Sequence, residues 1–201
     1  MDPTYHEGMR RLQDLRETRP LADRLEKVTM RAAFTEEDQA FIRRCRMFFV
    51  ATADTRGQPD CSYKGGLPGF VRVLDDRTLA IPDYDGNGQY RTWGNVLVNA
   101  RVGLLFIDFE TPKRLRVNGT AVVSAEDPLL PEIPGAVFVV RVKAERIFPN
   151  CPRYIHKMQL VEESVYAPRE NYTPPVPAWK TFDAFRDALP PRDRQPLPDG
   201  K

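Results

Sequence analysis

Between residues 47 and 148, apolar and polar positions alternate in seven short runs: MFFVATAD, PDCSYK, FVRVL, TLAIP, VGLLFIDF, RLRVNGTAVVS and AVFVVRVKAERIF. A period of two sends successive side chains to opposite faces of an extended chain, so each run predicts a strand with one face turned inward. Turn signals separate the runs: Arg56-Gly57 after Asp54, Lys64-Gly65-Gly66, and Asp75-Asp76. Asn118-Gly119 falls inside a run, and RLRV and TAVV read as one long strand bent by a bulge in preference to a hairpin. Many short strands with few long helices predict a mainly β fold, an antiparallel barrel or sandwich with flanking helices. Closure into a barrel also removes exposed edges.

The flanks follow other patterns. In residues 1–40, Met9, Leu12 and Leu15 fall on one side of a helix, and Leu21, Leu25 and Val28 follow after Pro20. This charged helical segment is expected to pack on the barrel or on a partner subunit. Thr35 stands ahead of Glu36, Glu37 and Asp38, an N-cap with acids in the first turn, which predicts a short helix over about 36–44. From Pro149 onward the composition changes. NCPRYIHKMQLVEESVY predicts one helix, and the proline-rich remainder cannot build a core of its own. Disorder is expected after about residue 190. The scheme is therefore a helical segment (1–40), a barrel domain (41–148) and a C-terminal helix with a Pro-rich tail (149–201).

Composition removes several function classes. At 201 residues and 23.0 kDa the chain suits one core with appendages. A formal charge of +2 is too balanced to argue for nucleic acid or an acidic membrane surface. No stretch approaches the roughly 18 apolar residues of a membrane span, and MDPTYHEGMRR lacks the apolar core of a signal peptide. A cytoplasmic protein is expected. Cys45, Cys61 and Cys151 show no CxxC spacing, and His6 and His156 are the only histidines, so neither a disulfide framework nor a metal centre is expected.

The candidate chemistry lies between the second predicted strand and the sixth. LAIPDYDGNGQY runs from a strand into a Gly/Asn/Asp loop, and TWGNVLVNA opens a short helix after it. Such a corner presents backbone N–H groups and a helix N-terminus at one point, where a phosphate can sit. Ser62 and Lys64 alternate along CSYK, so one hydroxyl and one ammonium share a face and are candidates to grip phosphate oxygens.

This order of elements, CSYKGGLPGFVRVLDDRT, then LAIPDYDGNGQY, TWGNVLVNARVGLLFIDF and KRLRVNG, resembles the FMN-binding split-barrel family related to pyridoxamine 5'-phosphate oxidase over roughly residues 40–165. The resemblance implies an antiparallel Greek-key split barrel of the FMN-binding type and a homodimer with FMN between subunits. It implies that the strand end at Pro82, Asp83 and Tyr84 passes along the flavin ring. It further implies that Asp85-Gly86-Asn87-Gly88 is the phosphate loop, with Asn87 as an amide donor. Family members carry Arg or Lys just after that loop, where this chain has Gln89, Tyr90 and Arg91. Lys64 is therefore the first choice of phosphate cation, with Arg91 serving if the register shifts. TWGN resembles the family's small-residue run, making Thr92 and Asn95 candidate ligands, whereas Trp93 reads as core or interface packing. Arg114 and Arg116 share a strand face. In related enzymes the matching strand reaches the flavin N1/O2 edge, often across the dimer, although pairing with Asp108 or Glu110 is an alternative.

The resulting expectation is an FMN-dependent oxidoreductase acting on a small organic substrate. A non-catalytic flavin-binding or redox-sensing protein remains an alternative, as does a split barrel using haem or a deazaflavin. His156, Cys151 and Trp179 are left without assigned roles, and the substrate-binding Arg and His pattern of pyridoxamine 5'-phosphate oxidase itself is not evident.

Overall fold

The computed structural model describes residues 4–194. Seven strands form one antiparallel sheet: β1 (Met47–Ala53), β2 (Pro59–Gly65), β3 (Arg72–Val73), β4 (Thr78–Tyr84), β5 (Arg101–Asp108), β6 (Lys113–Ser124) and β7 (Ala136–Pro149). Their order is β2-β1-β5-β6-β7-β4-β3. The sheet curls until its ends meet. Phe70, just before β3 at one edge, stacks on Phe48 of β1 near the other edge, with ring centroids 6.0 Å apart, and Phe48 also meets Phe106 at 5.2 Å. With the edges approaching but unpaired, the sheet is a split barrel, and its interior is a single apolar cluster that includes Phe41, Ile42, Leu104, Leu115 and Ile147.

The bend in β6 lies where Asn118-Gly119 places it. The β6–β7 register shifts between Asn118 and Gly119, and a Cβ on Gly119 would fall on the carbonyl oxygen of Lys143. Only glycine lets the two backbones come this close. Pro82 is tolerated within β4 because β3 pairs only with Leu79 and Ala80, which leaves the rest of that edge free.

Three helices precede the barrel: α1 (Glu7–Leu15), α2 (Arg19–Thr29) and α3 (Glu36–Arg44). Thr35 caps α3 in a capping box with Asp38, and Arg31 Nη2 holds both oxygens of that carboxylate at 2.9 and 2.7 Å. The α1–α2 hairpin buries none of its residues. Leu12, Leu15, Leu21 and Val28 remain exposed, so within one chain the expected packing of this apolar stripe on the barrel is not made. A pair of backbone bonds between Arg31 and Ile147 ties the segment after α2 to β7.

α4 (Arg91–Val98) packs against β1, β2 and β6. The helix expected over NCPRYIHKMQLVEESVY does not form. The β5–β6 turn takes its backbone donors instead: Met158 N bonds Phe109 O at 2.9 Å, and Leu160 N bonds Glu110 Oε1 at 3.1 Å. Arg46 holds Glu163 at 2.6 Å. With Pro152 at its start and Val161 and Val165 β-branched, the segment gains more from bonding the barrel's rim than from an internal ladder. After it come α5 (Asp183–Arg186) and single 3-10 turns at Ala178–Thr181 and Pro191–Asp193. The disorder expected after about residue 190 falls mostly on residues 195–201, which lie outside the described residues. Among the described residues, no helix is long and apolar enough to cross a membrane.

Candidate cofactor site

Strand pairing decides which side chains enter the barrel. Phe48 and Val50 point into the core, and antiparallel partners share a face, so Lys64 opposite Phe48, Ser62 opposite Val50 and Asp60 opposite Thr52 turn inward as well. They reach the barrel mouth where β4 ends and α4 begins, and a cavity of about 210 Å³ opens there. Ser62 and Lys64 line it from β2, Asp83 and Tyr84 from the end of β4, and Asn87, Gln89 and Thr92 from the loop and the first turn of α4.

The loop is shaped to expose amides. Gly88 has a φ of 74°, and Tyr90, the residue before α4, has a φ of 47°, a left-handed conformation that a non-glycine residue adopts only when its surroundings demand it. The Asn87 Oδ1 accepts from Gln89 N at 3.0 Å, a turn within the loop, which leaves the Asn87 amide nitrogen as its donor. No side chain caps α4, and its ladder begins with Gly94 N bonding Tyr90 O. The first-turn amides of Arg91, Thr92 and Trp93 therefore lie at the cavity with the helix's positive end.

Carboxylates and cations alternate around this opening. Asp83, only 6 % exposed, accepts from Trp93 Nε1 at 2.6 Å and from Lys64 Nζ at 3.2 Å, while Lys64 Nζ stands 4.8 Å from the Trp93 ring centroid. Trp93 is thus core, with its indole N–H satisfied by Asp83. Thr92 Oγ1 donates to Asp60 Oδ2 at 2.7 Å, and Arg91 Nε lies 3.6 Å from Asp60 Oδ1. Burial pushes the Tyr84 hydroxyl up to about 12, so it stays a neutral O–H donor through the physiological range. The Lys64 ammonium, the Arg91 guanidinium, the Ser62 hydroxyl and the unpaired first-turn amides form a donor set that fits a phosphate monoester, with each cation already balanced by one carboxylate.

The remaining predicted residues lie elsewhere. Pro82 is buried in β4 opposite Val139. Asn95 donates to Thr52 Oγ1 at 3.1 Å and fastens α4 to β1. Arg114 and Arg116 pair with Ile107 and Leu105 on the outer face of the sheet, so one chain cannot bring them to the same hollow as Ser62 and Lys64. Arg114 Nη2 donates to Cys151 O at 2.8 Å, and among the described residues it makes no ion pair with Asp108 or Glu110. Arg116 lines a separate groove of about 1670 Å³ between the α1–α2 hairpin and the barrel. His156 and Cys151 are exposed on the C-terminal segment, and Trp179 packs edge-on against Phe185.

Asp60 was missed from the sequence, although its place two residues before Ser62 on the same strand face marks it as a neighbour. Asp85 and Lys180 were also missed as a pair. Lys180 Nζ lies 2.6 Å from Asp85 Oδ2, and no local pattern joins residues so distant in the chain.

Residues 34–160 match the family described as pyridoxamine 5'-phosphate oxidase. The chain belongs to this family. HupZ from Group A Streptococcus is similar at 27% identity, with 58% of this chain and 93% of that one covered and a TM-score of 0.48. A candidate pyridoxamine 5'-phosphate oxidase from Lactobacillus delbrueckii is 25% identical, covering 60% and 99% with a TM-score of 0.48. An FMN-binding protein from Syntrophomonas wolfei is 12% identical, covering 70% and 97% with a TM-score of 0.47. No curated protein matches the sequence significantly.

Proposed function

We propose that this chain is an FMN-dependent oxidoreductase acting on a small organic molecule, and that it holds the flavin non-covalently in a homodimer. The observation that carries this reading is the convergence of Ser62, Lys64, Asn87 and Thr92 with the uncapped start of α4 around one cavity. Helix amides and the Asn87 amide would take the phosphate oxygens, and Ser62 and the Lys64 ammonium would hold the ester or ribityl oxygens. When bound, the flavin ring would accept or deliver a hydride or electrons, while the side chains around it hold and orient it.

A cavity of about 210 Å³ suits the phosphate and ribityl chain and leaves the ring to extend beyond it. A second copy would cover that ring. Arg114 and Arg116, on the outer face of the sheet, would then meet the ring held by the other subunit, where a cation stabilises an anionic reduced flavin. The exposed leucines of α1 and α2 support an assembly larger than one chain. In solution the mass should be twice the 23.0 kDa of the chain.

A flavin binder without turnover is the second reading. It is favoured by the histidines: His6 accepts from Met9 N at the start of α1, and His156 is exposed on the C-terminal segment, so neither supplies a proton at the cavity.

Absorbance of the purified protein, with the mass of the molecule released on denaturation, tests the proposal. Flavin absorbance and the mass of FMN are expected. A Soret band would transfer the site to haem, release of a deazaflavin would transfer it to F420, and a colourless protein that takes up none of the three would overturn the reading. Consumption of a reduced nicotinamide or a substrate panel by the loaded protein separates turnover from storage.

A further inference from the structure

Asp85 opens the phosphate loop, between the cavity residues Tyr84 and Gly86, and its carboxylate puts a negative charge into a loop that is meant to hold an anion. The two other carboxylates at this mouth, Asp60 and Asp83, are matched by Arg91 and Lys64, both from within the barrel domain. Asp85 is matched from far away. Lys180, beyond the family match at residues 34–160, comes back along the C-terminal segment and sets Nζ 2.6 Å from Asp85 Oδ2 and 3.1 Å from Asp193 Oδ2. Its side chain is 8% exposed, against 45% for Asp85. A buried ammonium persists only where carboxylates hold it. Burial alone would lower the Lys180 pKa, but the bonds to Asp85 and Asp193 outweigh it and leave the value above the ordinary one.

We propose that Lys180 is a positioning residue for phosphate binding: by neutralising Asp85 it makes the Asp85–Gly88 loop permissive to the phosphate of the flavin nucleotide. This rests on the functional reading above. The local cluster contains Lys180 and Arg192 against Asp85 and Asp193, with Arg192 Nη2 3.6 Å from Asp85 Oδ1, so it is neutral as a whole. Removing Lys180 leaves one excess negative charge on the loop that would carry the dianion. It removes nothing that would touch the ring or the ribityl chain.

The test compares FMN with riboflavin, which has the ring and ribityl chain but no phosphate, on the full-length apoprotein by flavin fluorescence quenching. Lys180→Gln should weaken FMN about tenfold at low salt, the order expected for one unit charge beside a dianion across a solvated gap, and leave riboflavin unchanged. The FMN loss should shrink at high salt. Asp85→Asn added to Lys180→Gln should restore FMN affinity, because the charge that Lys180 neutralises is then gone. Asp85→Asn alone, at a half-exposed position, tests the same idea if the Lys180 variant does not fold: FMN should bind as tightly as in the wild type or tighter. Equal losses for FMN and riboflavin, failure of the double variant to restore binding, or weakened FMN binding in Asp85→Asn would overturn the proposal. Wild-type protein that binds neither flavin would overturn the functional reading itself.

Discussion

Lys64 Nζ lies 3.2 Å from Asp83 Oδ1, joining β2 at one edge of the sheet to β4, which is sixth in the strand order. The contact exists only because the sheet curls on itself. It spans the mouth of the barrel at the point where the candidate phosphate cavity opens. Asp83→Ala would leave both the Trp93 indole N–H and the Lys64 ammonium without their carboxylate in a buried setting. The expected loss is about 3 kcal/mol, read by urea unfolding. Wild-type stability in that variant would show that the pair does not hold the mouth closed.

The pair also sets what Lys64 can do for a ligand. An ammonium shared with Asp83 offers its remaining donors to the cavity without carrying uncompensated charge. Lys64→Ala combined with Asn87→Ala should lower FMN affinity about a hundredfold, since hydrogen bonds to charged groups are each worth roughly 1.5–3 kcal/mol. Isothermal titration with FMN reads it. An undiminished affinity would move the phosphate away from this cavity.

Gly119 is a structural hinge point in β6. Gly119→Ala places a methyl group on the Lys143 carbonyl, a backbone atom that cannot rotate aside, and either β6 or β7 must shift. A loss of about 3 kcal/mol or failure to fold is expected, well beyond the usual cost of a point substitution. A melting temperature within a degree or so of the wild type would contradict the close approach.

Acid should weaken the protein partly through Asp127. Arg141 grips this carboxylate with Nε at 2.5 Å and Nη2 at 3.0 Å, and the bond, helped by the Leu129 amide, holds its pKa below the ordinary 3.8. The folded value lies below the unfolded one, so the stabilisation is complete above the unfolded value and is lost as pH falls through the folded one. Asp127→Asn should be less stable than wild type at neutral pH, and the gap should close in strong acid. Thermal melts of both proteins across the acid range check this, and a gap independent of pH would refute it.

The three thiols should separate in reactivity. Cys45 is buried, and burial pushes its pKa up to about 12, whereas Cys61 and Cys151 are exposed. A thiolate-selective reagent should leave Cys45 unmodified until the protein unfolds. Peptide mass mapping after native labelling reads the outcome, and rapid native modification of Cys45 would show that α3 does not cover it.

Local periodicity sufficed for the elements. Alternation over 47–148 marked the strands, Thr35 with Asp38 marked the start of α3, and Asn118-Gly119 marked a bend within one strand, because each depends on residues close in the chain. The order of loop, helix and strands also carried the family. Where the reading erred, distant groups won: the rim of the β5–β6 turn took the amides that would have made a helix over 150–166. Strand parity placed Ser62 and Lys64 on one face, but which face that was, and that Arg114 and Arg116 lie on the opposite one, followed only from pairing register. The partners of the site's charges, Asp83 for Lys64 and Lys180 for Asp85, were decided by the curl of the sheet and the return of the C-terminal segment. Backbone preference is a short-range property written along the chain, whereas which charge neutralises which is a matter of distance in space, and that exists only once the barrel has closed.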